Sequence, residues 1–213
     1  MIKAILFDFD DTLVQTKVIR FEAVKHTAKK FYNLSLTDEH ISKHWGKPFA
    51  EMMLEIFNHV DTSENIIERY KSILPEYPNK PYPETLDTIN TLKGGYKLGI
   101  VSSSSTELII SGLKNVGIDP SQFDYIQGAE KSEFHKPDGR VFEPSLLFLQ
   151  QLNISRDQVV YVGDSLDDFA AAKSANIHFI GVHGRTISKE DFDKVEARSI
   201  SSLKEIVDAI NEL

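Results

Sequence analysis

The sequence predicts an α/β protein: a parallel sheet flanked by helices, interrupted once by a smaller, wholly helical insert. Short runs dense in Ile, Val, Leu, Phe and Tyr recur at Lys3 to Phe7, Lys97 to Val101, Gln158 to Val162 and Ile177 to Val182. They read as strands buried on both faces. A weaker run spans Phe123 to Gly128, and the segments between the later runs carry helical spacing, as at Glu107, Ile110, Leu113 and Lys114. Strands that alternate with helices in this way lie parallel. Between the first run and the second, by contrast, about eighty residues show no strand pattern.

That stretch reads as helix throughout. Phe21, Val24, His26, Ala28 and Phe31 mark a first helix, Glu39 to His44 a second, Phe49 to Phe57 a third and Glu64 to Leu74 a fourth. Pro75, Pro78, Pro81 and Pro83 then punctuate the return to the sheet. The expected division is a core of residues 1–13 and 82–213 with a helical cap over 14–81, joined by two hinge-like linkers.

Composition narrows the function classes. With 41% hydrophobic and 26% charged residues among 213, the chain has an ordinary globular make-up and enough length to bury a core. A net charge of −8 leaves a general grip on nucleic acid phosphates to a local patch, so no nucleic acid partner is expected and a small substrate is. Absence of cysteine excludes disulfides and thiolate metal sites, which leaves oxygen or imidazole ligands for any metal. The first residues, MIKAILFDFDDTL, are interrupted by acids within eight positions. They do not have the make-up of a secretory signal. No apolar run approaches the ~20 residues that span a bilayer, so no membrane partner is expected. A cytoplasmic location follows as the expectation. Without heptads of a coiled coil, a monomer is expected.

Chemistry concentrates at strand ends. Asp8, Asp10 and Asp11 crowd the end of the first run, followed by Thr12. Carboxylates at this spacing raise one another's pKa unless a cation compensates them, and an all-oxygen cluster suits a hard ion such as Mg²⁺. If the strand stays extended, Asp8 and Asp10 share a face and Asp11 points away. An acidic turn with Asp and Thr as helix caps would use the same residues. A second acidic set, Asp164, Asp167 and Asp168, follows Gly163 at the end of another run. Its spacing fits the first turn of a helix, where capping by Asp164 or Ser165 and attraction of acids to the helix dipole are the alternative, preferred for Asp167. In a parallel sheet both sets emerge at the same carboxyl-end crevice. Ser102 to Ser105 end the second run, where hydroxyls and helix-start N–H groups can hold phosphate oxygens or serve only as caps. Lys136 lies in HKPDGRVF, a loop before a helix of Val141 to Leu149, and a lone lysine there is ordinarily solvated.

Taken in order, these segments resemble the four motifs of the haloacid dehalogenase-like (HAD) superfamily. DFDDT resembles Asp-x-Asp-x-Thr, Ser102 stands at the second-motif hydroxyl, Lys136 at the third-motif lysine, and GDSLDD resembles the fourth motif. The resemblance runs from Ile2 to about Val182 and includes the helical cap. It implies a Rossmann-like core and a Mg²⁺-dependent phosphatase of a small phosphorylated metabolite. Asp8 would be the nucleophile forming an aspartyl-phosphate, and Asp10 the general acid/base. Mg²⁺ would be held by Asp8, the Asp10 carbonyl and Asp164, with Asp168 supporting the metal or pairing with Lys136. Ser102 and Lys136 would hold phosphoryl oxygens, with Thr12 and Ser103 as further substrate contacts. HWGKPF resembles the Gly-x-Pro loop of family caps, which makes Gly46 and Lys47 candidates to meet the leaving group; a plain turn fits equally. Where many relatives carry Asp-Ser, this chain has Val14, Gln15 and Thr16. That departure carries over neither a phosphoglycolate nor a hexose phosphate substrate.

Two other classes compete. A sugar-phosphate mutase would use the same motifs and pass the phosphoryl group to a substrate hydroxyl. A receiver-like phospho-accepting domain, or another non-catalytic binding protein, would also combine acids, a hydroxyl and a lysine. Receivers, however, place the accepting Asp on a later strand and lack a large helical insert. A dehalogenase would not keep the second Asp of the first motif, present here as Asp10.

Overall fold

The computed structural model describes residues 1–45 and 49–213. Gly46 and Lys47, the expected cap contacts, lie outside the described residues. The chain divides into two compact units, residues 1–15 with 80–213, and residues 16–79.

The first unit is built on β1 (Ala4–Phe7), β4 (Lys97–Val101), β5 (Tyr125–Gln127), β6 (Val159–Gly163), β7 (His178–Val182) and β8 (Ser199–Ile200), ordered β5-β4-β1-β6-β7-β8 and parallel throughout. Two short strands, β2 (Val14–Gln15) and β3 (Lys80–Pro81), pair antiparallel where the chain leaves and re-enters this unit. Successive strand residues face opposite ways, and each face has its own core. Ile5, Phe7, Leu98, Ile100, Val160 and Val162 pack with α5 (Thr85–Leu92), α6 (Thr106–Asn115) and α10 (Ile206–Asn211). Ala4, Leu6, Val159, Tyr161 and Phe179 pack with α7 (Glu143–Gln151), α8 (Leu166–Ser174) and α9 (Lys189–Lys194). Burial on both faces is why these strands read as unbroken apolar runs.

The second unit holds α1 (Lys17–Tyr32), α2 (Asp38–His44), α3 (Phe49–Ile56) and α4 (Ser63–Ile73). Its core joins Phe21, Val24, Ala28, Ile41, Met52, Met53, Ile56, Ile66, Tyr70 and Ile73. Thr37 and Thr62 start α2 and α4 by accepting from His40 N and Asn65 N, as N-caps do. Phe31, expected on the buried stripe of α1, is 38% exposed and lies under the cations of Lys30 and Arg69. No helix among the described residues is long and apolar enough to cross a membrane.

The unit boundaries fall two residues inside the expected insert. Val14 pairs with Pro81 and Gln15 with Lys80, and the Gln15 side chain donates to the Pro81 carbonyl at 3.2 Å. Backbone pairing binds both linkers to the sheet unit. The sixth strand, β8, was not expected, because two residues give no period to read.

One close approach fixes the flank of the sheet that carries the site. A Cβ on Gly139 would come within 2.5 Å of Ala175 N and 2.9 Å of Ala171 O, both backbone atoms at the end of α8. Gly139→Ala is therefore expected to lower the unfolding free energy by about 1–3 kcal/mol through overpacking. Urea unfolding checks this, and a shift near zero would mean that α8 moves aside freely.

Candidate active site

All six strands of the large sheet run the same way, so their carboxyl ends form one edge. β1 lies between β4 and β6, where the chain order reverses direction and such sheets leave a crevice. The residues that follow β1, β4 and β6 meet there. Asp8, Asp10, Ser102, Ser103, Lys136, Asp164, Ser165, Asp167 and Asp168 line a cavity of about 190 Å³.

Asp8 continues the line of β1, donating its N–H to the Val162 carbonyl at 2.8 Å. Beyond it the chain curls rather than staying extended: Leu13 and Val14 both donate to the Phe9 carbonyl, and Asp11 takes φ +55°. Asp8 and Asp10 thus share a cavity through a turn, not through strand alternation. Thr12, expected against substrate, is fully buried, and its hydroxyl donates to Asp164 Oδ1 at 3.3 Å. The curl carries it behind the acids, where it orients Asp164.

Lys136 is the buried cation of the site. Its Nζ lies 2.7 Å from Asp8 Oδ1, 2.7 Å from Asp168 Oδ1 and 2.7 Å from the Tyr161 hydroxyl. Tyr161 in turn donates to the Val101 carbonyl at 2.8 Å. Burial alone would lower the lysine pKa, but Asp168 and Asp8 overcome it and hold the ammonium charged. The other oxygen of Asp168 accepts from Ser165 N at 3.1 Å and Ser165 Oγ at 2.6 Å, while Ser165 caps α8 through Asp168 N. Gly163 permits this: a Cβ there would lie 2.6 Å from Asp168 Cγ.

The four serines after β4 have separate tasks. Ser102 is buried, and its Oγ accepts from Ser104 N at 3.1 Å. Ser103 is exposed at the cavity wall. Ser104 Oγ donates to Asp10 Oδ2 at 2.6 Å, and Ser105 caps α6 by accepting from Leu108 N.

Electrostatics follow from burial. Asp8 is pushed well above the usual carboxylate range by desolvation; Lys136 opposes this, while Asp168, Asp164 and Asp10 add to it. Asp164 is raised to about 7, first by burial and then by Asp168. Oxygens of Asp8, Asp164 and Asp168 lie within 4.8 Å of one another, close enough to share a metal ion. Asp168 already serves Lys136 and Ser165, so Asp8 and Asp164 have the more available oxygens. The set is all oxygen and, with three buried carboxylates around one ammonium, it fits a hard divalent cation.

Sequence reasoning missed Tyr161, Ser104 and Thr186, whose hydroxyl donates to Asp164 Oδ2. Tyr161 sits in an apolar strand and reads as core. Ser104 was inside a recognised serine run but without a reason to single it out. Thr186 gave no local signal. A larger cavity of about 820 Å³, lined by Leu146, Leu147, Ile154 and Arg156 beside α7, contains no comparable set of groups.

The family model for haloacid dehalogenase-like hydrolases matches residues 5–182. The pyrophosphatase PpaX of Anoxybacillus flavithermus is 30% identical, over 85% of this chain and 83% of its own length. The glyceraldehyde 3-phosphate phosphatase of Methanocaldococcus jannaschii is 29% identical, over 100% of this chain and 99% of its own. Among solved structures, a Thermotoga maritima protein assigned as a beta-phosphoglucomutase superposes with a TM-score of 0.81 at 25% identity, with 100% of both chains covered. By these matches and the motif residues they span, the chain belongs to the haloacid dehalogenase-like hydrolase family, as a HAD-type phosphatase.

Proposed function

We propose that this chain hydrolyses a small phosphorylated metabolite in a Mg²⁺-dependent reaction, with Asp8 as nucleophile and Asp10 as general acid/base. The observation that carries this reading is the meeting of Asp8, Asp10, Lys136 and Asp164 in one small cavity. A carboxylate of Asp8 attacks phosphorus, the bond from phosphorus to the leaving oxygen breaks, and that oxygen takes a proton from Asp10. Water then attacks the phosphorus of the aspartyl-phosphate and gives a proton to Asp10, which frees inorganic phosphate and restores Asp8. Lys136, held at Asp8 Oδ1, fixes the rotation of the carboxylate and offers positive charge to the phosphoryl oxygens. Ser102, on the wall of the same cavity, completes the hold on those oxygens. When bound at Asp8, Asp164 and the Asp10 carbonyl, Mg²⁺ would neutralise charge on Asp8 and on the phosphoryl group.

Pyrophosphate and triose phosphates lead the substrate candidates, since relatives bear those names. The resemblance to the Thermotoga maritima protein favours a second reading, transfer of the phosphoryl group to a sugar hydroxyl. Incubation with pyrophosphate and a panel of phosphate esters, with Mg²⁺, separates the two. Free phosphate is expected as the product; an isomerised sugar phosphate with little free phosphate would select the mutase.

Replacement of the acids divides their roles. Asp8→Asn is expected to lower kcat by at least about a thousandfold, and undiminished turnover would displace Asp8 as nucleophile. Asp10→Asn is expected to cost about 10²- to 10⁴-fold in kcat, the range of a lost proton donor, as read in steady-state phosphate release.

The raised Asp164 pKa also sets a pH dependence of stability. Burial raises its carboxyl pKa to about 7 in the fold against ~3.9 in an unfolded chain. The fold therefore holds the extra proton, and its contribution to stability declines as pH rises from about 4 to about 7. In EDTA, the part of the decline in Tm between about pH 5 and about pH 8 that Asp164→Asn abolishes is expected to be measurable, and Mg²⁺ is expected to raise Tm more at the higher pH. Scanning fluorimetry checks both, and an equal Mg²⁺ effect at the two pH values would contradict the assignment.

A further inference from the structure

The loop after β7 reaches the acids from a direction the motifs do not specify. It is fixed at both ends: His183 N donates to the Ile200 carbonyl at 3.0 Å, Gly184 N to the Ile187 carbonyl at 2.8 Å, and Ser188 caps α9. Gly184 takes φ +81°, a conformation glycine adopts without strain. Between these ties, Thr186 directs its hydroxyl onto Asp164 Oδ2.

Arg185, next to it, anchors the loop to the curl after β1. Its guanidinium pairs with Glu84 at 2.7 Å, donates to the Thr12 carbonyl, and lies 3.6 Å over the Tyr82 ring. Both side chains of the ion pair are buried, at 5% and 11% exposure, so the anchor is held in one geometry. Thr12 supplies the other hydroxyl on Asp164, at Oδ1. Each Asp164 oxygen therefore has one hydroxyl donor, and the two donors are linked to each other through Arg185. A carboxylate oxygen has two lone-pair sites, so either can still face a cation while its hydroxyl fixes the carboxylate plane.

We infer that Thr186, anchored by Arg185, is a positioning residue of the metal centre: it sets the rotation of Asp164 for a divalent cation. This rests on the reading of Asp164 as a metal ligand. Outer partners of metal ligands typically change affinity by about 10- to 100-fold when removed, and Thr186 stands in that relation to Asp164. It reaches no reacting atom itself.

Mn²⁺, titrated alone into the metal-free protein and followed by electron paramagnetic resonance, gives a readout independent of turnover. Thr186→Val is expected to weaken Mn²⁺ binding by about 10- to 100-fold, Thr186→Ser to restore it to near the parent value, and Asp164→Ala to abolish it. Should Thr186→Val not fold, Thr186→Ala makes the same comparison without a branched apolar replacement. Binding unchanged in Thr186→Val, with loss in Asp164→Ala, would overturn the inference and leave the metal site standing. A lower Tm with unchanged Mn²⁺ affinity would assign Thr186 a structural part only and equally overturn it. Retained binding in Asp164→Ala would instead remove the metal-ligand reading, and the inference with it.

Discussion

The Lys136 ammonium, enclosed by Asp8, Asp168 and Tyr161, is the contact on which the rest of the site depends. Three buried groups within 2.7 Å of one Nζ come from the end of β1, the first turn of α8 and the middle of β6. Through the Tyr161 hydroxyl the same network reaches β4 at Val101. Removing one partner from a buried ion pair typically costs about 3–5 kcal/mol, because the other charge is left without compensation. The cluster can persist only if sheet, loop and helix hold their relative places. The apolar cores on the two faces of the sheet supply that rigidity, and glycine at 163 and 139 lets the helix and the lysine loop approach closely enough.

Helix capping and site chemistry, which the sequence presents as alternatives, coexist here because they use different atoms of the same segments. Ser165 caps α8 and at the same time holds Asp168 Oδ2, so the turn that starts the helix also aims the acid that holds Lys136. After β4 the work is divided by residue: Ser105 caps α6, which frees Ser102 and Ser104 to face the cavity and Asp10. A parallel sheet makes such economy possible, since every strand delivers a helix start and a site residue to the same edge.

Features carried by local pattern were legible in the sequence. The long buried strands, the cap helices and the acids after β1 and β6 all announce themselves through period or spacing. Contacts between distant segments that neither the parallel sheet nor the motifs specify were not. The family resemblance put Thr12 among the substrate contacts, whereas its hydroxyl partner in the fold is Asp164, reached by the curl after Asp8. Thr186 and Arg185 lie in a loop without motif character, and their meaning comes from meeting Asp164, Glu84 and Thr12 in space. The unit boundaries moved by two residues because β2 and β3 are too short to show a period, yet long enough to pair.

The kind of partner each acid of the first motif has fits a division of labour between them. An ammonium only donates hydrogen bonds, so Lys136 supports Asp8 best when the carboxylate is ionised, which is the state a nucleophile requires. A hydroxyl both donates and accepts. Ser104 can therefore donate to Asp10 as a carboxylate and accept from it as a carboxylic acid, turning about its own C–O bond. Asp10 must pass through both states in each turnover if it gives a proton to the leaving oxygen and later takes one from water. A lysine at position 104 would favour one state and penalise the other. The two acids stand two residues apart in the same turn, and under the proposed reaction it is the partners reaching them from β4 and from the Lys136 loop that would suit one to attack and the other to proton transfer.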